Sequence, residues 1–159
     1  MDMALKIVRL MFEKKMTLSV AESCTGGLLA DRITDVPGSS GIFLAGIVSY
    51  SNQSKIRILN VNQDSLKKHG AVSEVVAREM AGGIRKISGS NIGVGVTGIA
   101  GPSGGSAEKP VGTVYYAIDI DGKSYAKLLN LEGSRREIKE NTVKEVLSDL
   151  LGILKKSEL

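Results

Sequence analysis

Apolar side chains at Ala4, Ile7, Val8 and Met11 recur at intervals of three and four residues, which marks a helix with one buried face, closed by the charges Glu13-Lys14-Lys15. Thr17 to Glu22 lacks that period and reads as a short buried strand. Gly26 and Gly27 open a second helix through Leu29 and Ile33. It stops at Val36-Pro37-Gly38, because proline disfavours helix in the residue before it. Ile42 to Tyr50 is apolar and strand-like. After the polar break Ser51-Asn52-Gln53, a short helix carries Lys55 in its first turns. A longer helix starts near Ser73, whose hydroxyl can cap it, and its spacing buries Val76, Met80, Ile84 and Ile87.

Asn91 to Thr97 is the next buried strand. The run from Gly98 to Gly105 carries too much glycine for a regular element and predicts a site loop. Val111 to Ile120 and Lys123 to Leu131 are strands joined by Asp121-Gly122, a strong hairpin signal. The last helix opens with the capping box Ser134-Arg135-Arg136-Glu137 and buries Val143, Val146, Leu147, Leu150, Leu151 and Leu154. Strands separated by helices pair in parallel, while the hairpin turns one strand the other way. The predicted fold is therefore α/β, a three-layer α/β/α sandwich. Its sheet is mixed, mostly parallel and five-stranded, with one antiparallel strand from the C-terminal hairpin.

The length of 159 residues suits one domain, taken as residues 1–159, and no repeat or linker divides it. Hydrophobic residues at 42% and charged residues at 24% allow an ordinary core and argue against disorder. The apolar runs are strand-length, and no basic start precedes a long apolar stretch, so neither a signal peptide nor a membrane span is predicted. A single cysteine, Cys24, cannot form an internal disulfide, and His69 adds too little for a zinc site. The expectation is a cytoplasmic protein with no metal. The net charge of +4 favours anionic partners, but the basic residues are dispersed and aromatics are only 4%, which gives a nucleic-acid platform poor support.

Ligands of open α/β sheets lie outside the carboxyl ends of the parallel strands. Three segments converge there. Ala21-Glu22-Ser23-Cys24-Thr25-Gly26-Gly27 runs from strand into helix, so backbone N–H groups near Ser23 could hold an oxyanion; Ser23 or Thr25 could equally be a plain N-cap. Cys24 has no evident base and reads as a small buried hydrophobe. Tyr50-Ser51-Asn52-Gln53-Ser54-Lys55 places a phenol and an amine near a strand end. That amine is a base only if desolvation or a neighbouring cation lowers its pKa, and is otherwise a solvated charge. Thr97 to Ser106 could turn consecutive N–H groups toward a phosphate, or could be a structural crossover. The spacing Gly93-Val94-Gly95-Val96-Thr97-Gly98 matches a dinucleotide fingerprint only formally, since its glycines fall inside the strand and no helix follows. No Gly-Lys-Ser/Thr closes the glycine run as a P-loop requires.

These segments, together with Pro37-Gly38-Ser39-Ser40, His69-Gly70-Ala71-Val72-Ser73-Glu74 and Lys109-Pro110-Val111-Gly112-Thr113-Val114, resemble the CinA C-terminal-domain family in order from about Leu18 to Arg135. Members of that family are known as nicotinamide-mononucleotide amidohydrolases of pyridine nucleotide recycling, working through a serine and a lysine. The resemblance implies Ser23 as nucleophile, Lys55 as base and Tyr50 beside it. It implies Ser40, Thr97 and Arg135 at the substrate, with Thr25 and Gly26 at the oxyanion and the phosphate either in the glycine loop, at Gly98, Gly104 and Gly105, or against Arg135. Where the family commonly shows Gly-Asp-Arg, this chain has Gly133-Ser134-Arg135-Arg136, so either arginine could take the place. No cofactor is expected. The partner expected is a small nucleotide substrate, with homo-oligomer formation and no membrane contact. Two rival readings remain: a different amidase or esterase that uses the same residues on another small anionic substrate, and a non-catalytic nucleotide-binding or competence/DNA-damage-associated partner protein.

Overall fold

The computed structural model describes residues 2–156. Five strands form one sheet: β1 (Leu18–Glu22), β2 (Phe43–Val48), β3 (Ile92–Gly98), β4 (Thr113–Ile120) and β5 (Lys123–Asn130), in the order β2-β1-β3-β4-β5. β1 pairs in parallel with both β2 and β3, while β4 is antiparallel to its neighbours β3 and β5. β4 is thus the single reversed strand, and the predicted α/β sandwich is the observed one. Asp121 and Gly122 take φ of 50° and 93° at the hairpin tip, the left-handed pair that a tight two-residue turn requires.

Helices cover both faces. α1 (Met3–Glu13), α2 (Leu28–Thr34) and α6 (Arg135–Lys156) pack with Leu18, Val20, Val94, Val96 and Tyr116 in one apolar cluster. On the other face α5 (Glu74–Ser88) carries Val76, Met80 and Ile84 against Ala21, joined by Leu59 of α3 (Asn52–Leu59) and Leu66 of α4 (Gln63–His69). The first helix buries Ala4, Ile7, Val8 and Met11 as the spacing predicts, and Asp2 caps it. The long helix differs at its end. Ile87 is 54% exposed, because the inward stripe runs through Ala77 and Ala81 and the last turn rotates Ile87 outward.

α5 approaches β3 closely because the strand is Ile-Gly-Val-Gly-Val. A Cβ on Gly95 would stand 2.5 Å from the carbonyl oxygen of Ala77 and 2.6 Å from the nitrogen of Ala81. Gly93 and Gly95 are therefore seats for a helix and not part of a nucleotide loop, in agreement with their position inside the strand.

Candidate active site

β1 ends at the site, and Ser23 is locked in line with it: its N–H donates to the Val96 carbonyl at 3.0 Å. The chain then folds through a tight turn in which the Gly26 N–H donates to the Ser23 carbonyl, with Gly26 and Gly27 at φ of 61° and 99°. Only glycine tolerates such a sequence of left-handed residues without strain. Gly27 gives α2 no side-chain cap, and Glu22 supplies one from the strand. Its carboxylate is 1% exposed and accepts the N–H groups of Leu29 at 2.8 Å and Ala30 at 3.0 Å. Glu22 was part of the motif read from the sequence but carried no role there. The signal was an acid ending an apolar strand just before a glycine-led helix.

Lys55 enters from α3, which Ser51 caps by accepting the Ser54 N–H. The lysine side chain is 1% exposed. Its Nζ lies 3.0 Å from Ser23 Oγ, 3.0 Å from the Ser49 carbonyl and 3.2 Å from the Tyr50 carbonyl. Burial drives its pKa below the ordinary lysine value, with only the neighbouring Cys24 opposing the shift. The Cys24 thiol moves the opposite way, pushed up to about 11 chiefly by desolvation, so it stays protonated at neutral pH.

Ser23, Lys55, Tyr50, Thr97, Gly98, Gly104 and Arg135 all line one cavity of about 260 Å³ at the carboxyl ends of the parallel strands. Thr97 Oγ1 donates to the Ala71 carbonyl at 2.8 Å and so ties the segment before α5 to the cavity wall. Arg135 spans the mouth, donating to the Gly101 carbonyl at 2.7 Å and the Tyr50 hydroxyl at 2.8 Å. Arg136 pairs with Glu140 on the exposed side of α6, which makes Arg135 the arginine at the cavity.

Four of the expected residues, Ser40, Thr25, Gly26 and Gly105, fall outside the cavity lining. Ser40 is exposed in a 3-10 turn, Ser39–Gly41, immediately before β2 begins, hence at the opposite end of the strands from Ser23 within this chain. Thr25 is fully buried beneath the turn and does not line the cavity, and the Gly26 N–H already serves Ser23. Gly105 also lies outside the cavity lining; a Cβ there would meet the Val111 nitrogen at 2.7 Å, so its glycine serves loop packing. Tyr50 touches Lys55 only through its main chain, since its ring is 59% exposed and its hydroxyl faces Arg135. The cavity also includes Asn52, Val72, Ile99 and Ser103, which lie inside the segments read from the sequence but carried no role of their own there. Among the described residues no group of three or more His, Cys, Asp or Glu could hold a metal ion.

Fold and site together define an α/β protein with a serine and an enclosed lysine in contact at the strand ends. The chain belongs to the CinA C-terminal domain family, whose model matches residues 1–154. It is 51% identical over 157 residues to a CinA-like protein of Chlorobaculum tepidum, covering 96% of this chain and 37% of that protein. A competence-damage inducible protein of Alkaliphilus oremlandii is 54% identical over 133 residues, covering 84% of this chain and 32% of the relative. The chain thus spans about a third of the length of these relatives. Among solved structures, competence damage-inducible protein A of Klebsiella pneumoniae superposes with a TM-score of 0.95 at 31% identity, covering 98% of this chain and 97% of that one. The competence/damage inducible protein CihA of Agrobacterium tumefaciens gives 0.89 at 38% identity, covering 98% of each.

Proposed function

We propose that the domain is an amidohydrolase that converts nicotinamide mononucleotide to nicotinate mononucleotide and ammonia through Ser23 and Lys55. The observation that carries this reading is the enclosed contact between Lys55 Nζ and Ser23 Oγ. A neutral amine has two N–H donors and one lone pair. Two carbonyl oxygens, of Ser49 and Tyr50, take the donors, which leaves the lone pair for the Ser23 hydroxyl proton.

In this mechanism Lys55 accepts the Ser23 proton as Oγ attacks the carboxamide carbon, and backbone N–H groups of the turn that follows Ser23 meet the developing oxyanion. Collapse of the adduct breaks the C–N bond, and the Lys55 ammonium gives its proton to the leaving NH2 nitrogen, which departs as ammonia. Water, deprotonated by the amine again, then attacks the acyl–serine carbonyl; as the ester C–O bond breaks, the Lys55 ammonium returns the proton to Ser23 Oγ and the acid product leaves and ionises. The cavity lining contains Arg135 and no carboxylate, which suits an anionic substrate. The test is ammonia release from nicotinamide mononucleotide by purified protein in excess chelator. Turnover that persists supports the serine–lysine route, and strict dependence on an added divalent metal defeats it. Absence of ammonia release would favour either another small anionic substrate, which a substrate panel would identify, or the non-catalytic alternative, which the basic charge balance and the names of the relatives support.

A further inference from the structure

α6 carries a second cation toward the same turn. Lys139 stands one helical turn after Arg135, on the same side of the helix. Its Nζ reaches to within 3.5 Å of where a Cβ on Gly26 would be, so it lies over the Ser23–Gly27 turn. Neighbouring cations differ from it in their commitments. Arg135 is held by Gly101 and Tyr50, Arg136 by Glu140 and Lys127 by Glu145 and Asp149. No hydrogen bond or ion pair engages Lys139 among the described residues. Lys139 is half-buried beside a cavity lined by no carboxylate, so its charge is open to an anionic ligand.

We infer that Lys139 is a substrate-binding residue that pairs with the phosphate of the nucleotide at the rim formed by Arg135 and the Ser23–Gly27 turn. The inference rests on the amidohydrolase reading for the identity of the reacting amide, and on geometry alone for the anion. Lys139 is flexible and reaches the phosphate as a point charge, whereas Arg135 is held in place by its two acceptors. The two cations divide the work. Arg135 shapes the mouth, and Lys139 discriminates a phosphorylated from an unphosphorylated substrate.

The test compares kcat/KM for nicotinamide mononucleotide with that for nicotinamide riboside, which has the same amide and no phosphate. Lys139→Met lowers the nucleotide-to-nucleoside ratio about tenfold, the scale of one charge-assisted hydrogen bond at a partly exposed site. Lys139→Arg restores most of it. Arg136→Met removes the same charge from the far side of α6 and leaves the ratio where it was, which separates contact from a general field. An unchanged ratio in Lys139→Met overturns the inference. If the wild-type protein hydrolyses neither compound, the amidohydrolase reading fails by itself, and inorganic phosphate titrated into the protein and followed by 31P line broadening decides on Lys139. Saturable binding that is lost in Lys139→Met and kept in Arg136→Met supports the site; equal binding in all three, or none in the wild type, overturns it.

Discussion

Serine and cysteine stand side by side at the end of β1, and burial separates their chemistry. The Cys24 thiol is pushed up to about 11 and packs in the core with Leu28 and Ile138, whereas Ser23 Oγ meets the one enclosed amine. Ser23→Ala should therefore lower kcat by several orders of magnitude, while Cys24→Ala keeps most of the activity and costs about 1 kcal/mol of stability. Steady-state rates and melting curves of the two variants settle the assignment, and equal loss of activity in both defeats it. At Lys55 a change to arginine asks a different question. A guanidinium keeps its proton at any working pH, so a base at this position is abolished while a mere electrostatic anchor survives. Lys55→Arg should lose kcat by at least about a hundredfold. Near-normal kcat with an altered KM would show that position 55 only attracts the substrate. The buried thiol was legible from residue type, and the enclosure of Lys55 was not. A lysine in the first turn of a polar helix is normally solvated, and it takes the long-range approach of β1 to α3 to enclose it.

Among the elements, those carried by regular period were legible and those set by contact were not. α1, α5 and α6 present apolar stripes over three or more turns, and the hairpin announces itself by Asp121-Gly122. α4 has only Leu66 buried in seven residues, so it offers no period to read. The loop ends explain the small shifts: β2 stops at Val48 because the Ser49 and Tyr50 carbonyls are turned onto Lys55. Glycines show the same division. Gly95 touches α5 backbone and cannot take a methyl group, while Gly152 in α6 has open space around its Cβ position. Gly95→Ala should destabilise by about 1–3 kcal/mol through overpacking. Gly152→Ala should stabilise by roughly 0.5–1 kcal/mol by removing backbone freedom from a helix interior. Urea denaturation reads both, and a loss of stability in Gly152→Ala would contradict the packing described for α6.

For the molecule as a whole, the site lies where a twisted, partly parallel sheet opens, and its central charge-bearing group is a term in global stability. Lys55 is buried in the folded state with its pKa depressed, and free in the unfolded chain at about 10.4. Below the folded pKa both states hold the proton, and stability carries the full cost of an enclosed ammonium. Between the folded pKa and about 10.4 the unfolded chain binds more protons than the folded one, so this group's contribution to stability rises with pH across that window. Above it both states are neutral and the contribution levels off. Lys55→Met lacks the titration but also strips a donor from the Ser49 and Tyr50 carbonyls, so its absolute stability at one pH is ambiguous. The pH dependence of the difference is not. The melting temperature of Lys55→Met minus that of the wild type should fall as pH rises toward about 10.4, and kcat/KM of the wild type should rise with pH through a group titrating below an ordinary lysine. A difference that stays flat from neutral pH to pH ~10.4, with activity appearing only near the pKa of a solvated lysine, would mean that the folded protein keeps Lys55 charged. The amine would then have no lone pair to offer Ser23.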